Sequence, residues 1–275
     1  MSWNRFQYIC REVVDSSTEN TNFSCTIKNI DSSIQSDFYG KPFLKESFTS
    51  ILLNKMSQIT APKEAIASIN KYRNLVITQE SNFEQKNKRS LIYLVVVGFF
   101  FCLLSLLFQQ TLLPSFTKVQ AAIEFPKLVH FYWFEQHIAL MTTVVLFTIF
   151  MAVIVVYQAY KMSQKTLMSK FSKLLFPYKI CLTHQNIISM LEHPLPVDAR
   201  EHTSDISGYL DGLNNQRYIE EWNSIFNYQT LKLNEMLEVY IKCILSFVGL
   251  GLMAVIGNFI YAIYQPIMSL QGLVL

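Results

Sequence analysis

The stretch Leu91–Phe108, LIYLVVVGFFFCLLSLLF, holds no Asp, Glu, Lys or Arg. As a helix, about 20 apolar residues cross a hydrocarbon core of roughly 30 Å, and in that core the backbone of a lone segment is satisfied only by helical hydrogen bonds. Two further runs share the property, Ile138–Tyr157 and Cys243–Tyr264. A buried helix of a soluble protein is the bland alternative, but three such runs in 275 residues would leave too little polar surface. The expected fold class is mostly α: a polytopic membrane protein with three transmembrane helices and two small cytoplasmic helical bundles.

Cations flanking the runs set the expected orientation. Lys86, Lys88 and Arg89 precede the first run, Lys161, Lys165, Lys170 and Lys173 follow the second, and Lys242 precedes the third. Between the first two runs only Lys118 and Lys127 occur, offset by Glu124 and Glu135, and no charge follows Lys242. Cytoplasmic loops retain Lys and Arg. The expected order is a cytoplasmic N-terminal domain (1–90), a first span (91–113), a short periplasmic loop (114–137) and a second span (138–160). A second cytoplasmic domain (161–241), a third span (242–264) and a periplasmic tail (265–275) follow. The implied location is a membrane, with the lipid bilayer as first partner. Met1–Ile30 mixes acids, bases and polar residues, so the first span is expected to act as its own insertion signal.

Net charge bounds the partners. A formal charge of +3, spread over the segments expected inside, fits the orientation rule and implies no nucleic acid. Five cysteines form no C-x-x-C pair, so neither a disulfide framework nor a zinc site is expected. The chain has no P-loop, no G-x-S-x-G and no H-E-x-x-H, and it is read as having no enzyme activity, catalytic residue, metal or cofactor.

The polar segments read as follows. Phe6–Val14 and Asn22–Ile30 are β-prone around a Ser/Thr/Asn-rich turn and form either a small hairpin or a loose tail. Phe48, Ile51, Leu52 and Met56 share a helix face; a second helix starts near Thr60, with Pro62 in its first turn, Glu64 at its positive end, and Ala65, Ile66 and Ile69 as its buried stripe. Phe171, Leu174, Leu175 and Tyr178, then Ile187, Ile188 and Leu191, give similar stripes. His193-Pro194-Leu195-Pro196 interrupts them before a helix over Tyr218–Tyr240 that feeds the third run. Phe48–Leu52 with Ile59-Thr60 matches Phe171–Leu175 with Leu182-Thr183 in order and spacing, which suggests an internal duplication.

Gly249–Leu270, GLGLMAVIGNFIYAIYQPIMSL, resembles the end of the type II secretion F / PilC family, where a glycine-bearing span runs into a Y-x-P-I-F/M-x-L ending. Pro114 and Phe116 after the first run, and Phe125-Pro126 where members carry Leu-Pro, resemble that family too. Ile59–Ile66, ITAPKEAI, is similar to its G-x-P-x-x-x-A-L segment without the glycine, and Phe6-Gln7-Tyr8 is similar to its usual start. No G-E-x-S-G segment is present, and Lys242-Cys243-Ile244 stands where members have E-P, so the resemblance is to a short, divergent member. It implies an inner-membrane platform of a type IV pilus or type II secretion machine. The implied partners are a cytoplasmic assembly ATPase, pilin or pseudopilin subunits and other inner-membrane assembly proteins. A small secondary transporter or channel component is the alternative, although no Asp, Glu, Lys, Arg or His lies within a run.

Candidate sites divide by chemistry. Ser246, Gly249, Gly251, Ala254 and Gly257 are small enough for another helix to approach, and Asn258 would seek a polar partner across that interface, within the protomer or in a homo-oligomer. Pro114, Phe116, Pro126 and Pro266 mark the ends of spans. Glu220, Glu221, Glu235 and Glu238 either meet basic residues of an ATPase or form a solvated helix face. His184, His193 and His202 recur every nine residues, which suits no ligand set on one element. They read as exposed or capping histidines, and Glu192, Asp198, Glu201 and Asp205 as an acidic loop surface. Lys161, Lys165, Lys170 and Lys173 are explained by topology, with anionic lipid as a further option. His130 and His137 flank an aromatic belt, Phe131–Phe134.

Overall fold

A computed structural model of the chain describes residues 3–16, 23–34, 48–59, 61–77, 82–115, 117–118, 129–202 and 204–274. Within these, the side chains of 23–25, 62, 82–88, 129–135, 215–216, 266–267 and 269–274 are left undescribed. The described residues contain helices and no strand. Three of those helices are long and apolar enough to cross a membrane, over Arg89–Ser115, Gln136–Ser163 and Arg217–Gln265. The chain divides into two compact units, Met1–Phe83 with Gln158–Leu237, and Glu84–Tyr157 with Glu238–Leu275.

The first unit begins with two helices where a hairpin was one expectation: α1 (Trp3–Ser16) and α2 (Phe23–Ser33). The β-branched content of these stretches misleads, because the buried residues Trp3, Phe6, Ile9, Cys10 and Val13 recur at helical spacing. Buried Arg5 ties the two helices by pairing with the Asp31 carboxylate at 2.6 Å and donating to the Asp31 carbonyl. Then come α3 (Phe48–Ser57) and α4 (Pro62–Asn74). As expected, α4 has Pro62 at its first turn, Glu64 at its positive end, and Ala65 and Ile69 buried.

Beyond residue 158 the unit continues with α7 (Lys170–Leu175), α8 (Tyr178–Glu192), a 3₁₀ turn (Val197–Ala199), α9 (Asp205–Asp211) and the start of α10 (Asn215–Val274). The stripe expected on Phe171, Leu174 and Tyr178 is exposed, whereas Ile187, Ile188 and Leu191 are buried. Phe48 is buried and its counterpart Phe171 is not, so the matched sequence stretches do not occupy equivalent environments.

The second unit consists of α5 (Asn82–Leu107), which passes into a π turn at Phe108–Leu112, most of α6 (Val129–Ser163), and α10 from Glu238 onward. Leu94, Gly98, Phe101, Ser105 and Phe108 are the buried positions of α5, in alternating steps of four and three. Ile138, Val145, Ile149 and Ala152 follow the same rhythm on α6, with half-buried Thr142 between the first two. On α10 it runs through Leu245, Val248, Leu252, Val255, Phe259 and Ala262. This is the heptad spacing of a knobs-into-holes seam. α5 and α6 run antiparallel: Gly98 meets Ile149, and seven residues on, Ser105 Oγ shares a 2.8 Å hydrogen bond with Thr142 Oγ1. A Cβ on Gly98 would stand 2.2 Å from Ile149 Cδ1, so a larger residue there makes the end of the Ile149 side chain move aside. Helix α10 continues through Pro266 to Val274, where a tail was expected.

Candidate functional site

Two places gather polar chemistry, one in each unit. In the first unit, His193-Pro194-Leu195-Pro196 stops α8 inside the core, where the last carbonyls of a helix lack intrahelical partners. Partners come from distant parts of the sequence. Tyr72 Oη donates to the Leu191 carbonyl at 2.5 Å, and Trp222 Nε1 donates to the Met190 carbonyl at 2.9 Å. Beside them the Glu192 side chain, 1% exposed, receives Lys55 Nζ at 2.9 Å and the backbone amides of Glu201 and His202 at 3.1 and 2.9 Å. Burial alone would raise the Glu192 carboxyl, but the hydrogen bonds from Lys55 and His202 outweigh it and hold the group below its usual range. Burial likewise opposes the charge on Lys55, yet its bonds to Glu192 and Glu201 raise its pKa.

Glu192, Glu201 and His202 lie close enough to bind a metal ion, but Lys55 already supplies the positive charge, at 2.9 and 3.1 Å from the two carboxylates. Metal binding would require expelling that ammonium group, so the cluster reads as a structural ion-pair node. Glu192 is therefore not part of an acidic loop surface. Two of the three histidines are not exposed either. His193 stacks on Tyr218 with its Nδ1 3.0 Å from the tyrosine hydroxyl, and its Nε2 faces Asp211 at 2.9 Å and the Ser207 carbonyl at 3.2 Å. Burial and the nearby Arg200 charge lower its pKa, so the neutral ring carries its proton on Nε2. His184 is 1% exposed, and its Nε2 finds no hydrogen bond among the described residues; burial pulls its pKa down to about 4. Lys165, grouped by sequence with the membrane-flanking cations, is buried with Nζ 4.8 Å from the Phe226 ring centre.

The second place is a groove of about 1170 Å³ between α5 and α10 within the second unit. Arg89, Glu238 and Lys242 line its polar end, and Val97, Leu252 and Ile256 belong to its apolar floor. Beyond that floor the helices close: the Phe259 ring packs edge-on against Phe101 and Phe108, with centroids 5.9 and 5.5 Å apart. Glu238, one of the four acids read as a partner contact or a solvated face, pairs with Lys242 one turn on at 2.8 Å. Glu220 and Glu235 are exposed and Glu221 is half-buried.

Compared with known proteins, the chain matches no family model, no curated protein and no solved structure.

The small-residue face of the third run does not lie in the seam. Gly249, Gly251 and Gly257 have open space where a Cβ would stand, and Ser246, Ala254 and Asn258 are exposed. Among the described residues, the close-packing role belongs to Gly98 and Ser105, which the sequence reading passed over. Their signal was available: one glycine and one serine, seven residues apart, in an otherwise apolar run. Pro114 is exposed just after the π turn, Pro266 is inside α10, and Phe116 and Pro126 lie outside the described residues. So do the side chains of the Phe131–Phe134 belt.

Proposed function

We propose that the protein is a membrane-embedded assembly platform of a type IV pilus or type II secretion machine. It would receive pilin-like transmembrane helices on its third span and engage a cytoplasmic ATPase through its polar unit. The observation that carries this reading is the placement of the segment resembling the type II secretion F / PilC family. Its glycines face open space on a membrane-length helix rather than packing inside the protomer. The bare surface at Gly257 lets another helix approach closely, and the exposed Asn258 beside it offers a hydrogen bond.

Topology is supported by how the first unit is built. Residues before the first apolar helix and after the second share one core, tied by Tyr72 to Leu191 and by the Val76 amide to Asn223 at 2.9 Å. Two crossings between them put both on one side of a bilayer, and the cation bias makes that side cytoplasmic. The third crossing then carries the C-terminus to the periplasm of an inner membrane.

The test is crosslinking and affinity purification of the tagged protein from its native membrane. Recovery of a hexameric ATPase together with pilin-like subunits is the expected result. Recovery alone, or with solute-binding proteins, sends the assignment back to transport. In the same system Gly257→Leu is expected to abolish pilus or secretion output while membrane insertion is unchanged; unchanged output removes the packing face from the argument.

A further inference from the structure

We infer that the groove between α5 and α10 seats one anionic glycerophospholipid, with its phosphate between Arg89 and Lys242 and an acyl chain along the apolar floor. The inference rests on the membrane-spanning reading and not on the platform assignment, although Ser246 and Gly249 line the groove and also belong to the small-residue stretch of α10. Arg89 and Lys242 immediately precede charge-free stretches of their helices, so their cations stand where headgroups begin. Among the described side chains that line the groove, Glu238 is the one acid, beside the two cations Arg89 and Lys242. The Lys242 side chain is 66% exposed and retains open donor directions beside its pair with Glu238. Ser90, next to Arg89, and Ser246, one turn past Lys242, add hydroxyls to the lining.

Depth distinguishes a lipid from a protein helix. From Lys242 to Ile256 the floor extends 14 residues, about 21 Å along α10, and from Arg89 to Val97 about 12 Å along α5. Half a hydrocarbon core is about 15 Å. Below this level Phe259 fills the space between Phe101 and Phe108. The groove is thus one leaflet deep: long enough for an acyl chain, too short for a spanning helix. Its charged end lies at the interface where basic pockets between helices recognise anionic headgroups.

The experiment uses the full-length protein in nanodiscs of phosphatidylglycerol and phosphatidylcholine in equal parts, followed by mild detergent release and mass spectrometry of the lipid retained. The wild type is expected to retain phosphatidylglycerol over phosphatidylcholine by roughly tenfold. Arg89→Gln with Lys242→Gln abolishes the preference, and Arg89→Lys with Lys242→Arg keeps it. Ser246→Trp, which fills the groove and spares both cations, also abolishes retention. Lys161→Gln with Lys170→Gln, which removes cations outside the groove, leaves the preference intact. No preference in the wild type, or equal loss in the Lys161/Lys170 variant, overturns the inference in favour of a diffuse surface field. Retention surviving Ser246→Trp, or a spanning peptide recovered in place of lipid, overturns it as well. Failure to reconstitute at all would instead strike the membrane reading.

Discussion

The two units hold themselves together by opposite arrangements of the same side chains. In the unit of α1–α4 and α7–α9, the large apolar groups Trp3, Phe6, Phe48, Tyr72 and Trp222 are interior, and the polar atoms trapped among them are mostly paired. In the unit of α5, α6 and the distal part of α10, Phe99, Phe100, Phe147, Phe150 and Phe247 face outward. Only 28%, 22% and 11% of the most apolar windows of these three helices are buried. Water expels apolar surface and thereby builds the first core. Lipid gives no such drive, so the second unit relies on close packing along a seam and on a few hydrogen bonds within it. A polar group is therefore a liability in one core and an adhesive in the other.

The largest test of that contrast is Glu192→Ala. It leaves Lys55 with only the exposed Glu201 as partner and should cost about 3 kcal/mol of stability, read by denaturant unfolding of the detergent-solubilised protein. A loss below about 1 kcal/mol would mean that the ion-pair node is incidental. Acid should act on the same unit. His184 falls from an unfolded value near 6.5 to about 4, a depressed pKa, so its neutral form contributes stability above pH 6.5 that is lost as pH falls toward 4. Between pH 7.5 and 4.5 the first unit should lose roughly 2–3 kcal/mol, and His184→Gln should flatten that slope. An unaltered slope would assign the acid sensitivity elsewhere, with His193 the next candidate.

In the second unit the effects are smaller and fall on packing. Gly98→Leu should cost about 1–3 kcal/mol by forcing Ile149 aside, and it should lower the yield of a disulfide engineered between positions 105 and 142. Full crosslinking in that variant would show that the seam tolerates a spacer. Ser105→Ala removes the Thr142 bond and should cost about 0.6 kcal/mol. A cost several times larger, measured by denaturant unfolding of the detergent-solubilised protein, would show that the hydrogen bond and not the packing fixes the pair.

What could be read in advance follows the physics of each unit. The three apolar helices were legible because length without charge has few other meanings. Helix α4 was legible because Pro62, Glu64 and the Ala65/Ile69 stripe each act locally. The seam was not: when every position around a helix is apolar, hydrophobicity carries no phase, and only Gly98, Ser105 and Thr142 mark the inward face. The glycines of α10 suggested a packing face within the protomer or in a homo-oligomer, and among the described residues nothing in the chain packs on them. Helices α1 and α2 were obscured by β-branched residues whose spacing was helical. The ion-pair node was out of reach because Lys55 and Glu192 lie 137 residues apart.

The capping of α8 by Tyr72 and Trp222 also has a consequence in time. Tyr72 leaves the ribosome 119 residues before the carbonyl it binds, and at roughly 5–20 residues per second that interval is about 6–24 s. On the two-crossing topology proposed above, the residues before α5 wait through that interval while α5 and α6 insert. Should that pair insert with only one crossing, Tyr72 and Leu191 emerge on opposite faces and the core never closes. On that proposal, the shared cap closes the polar unit only when both crossings have been made.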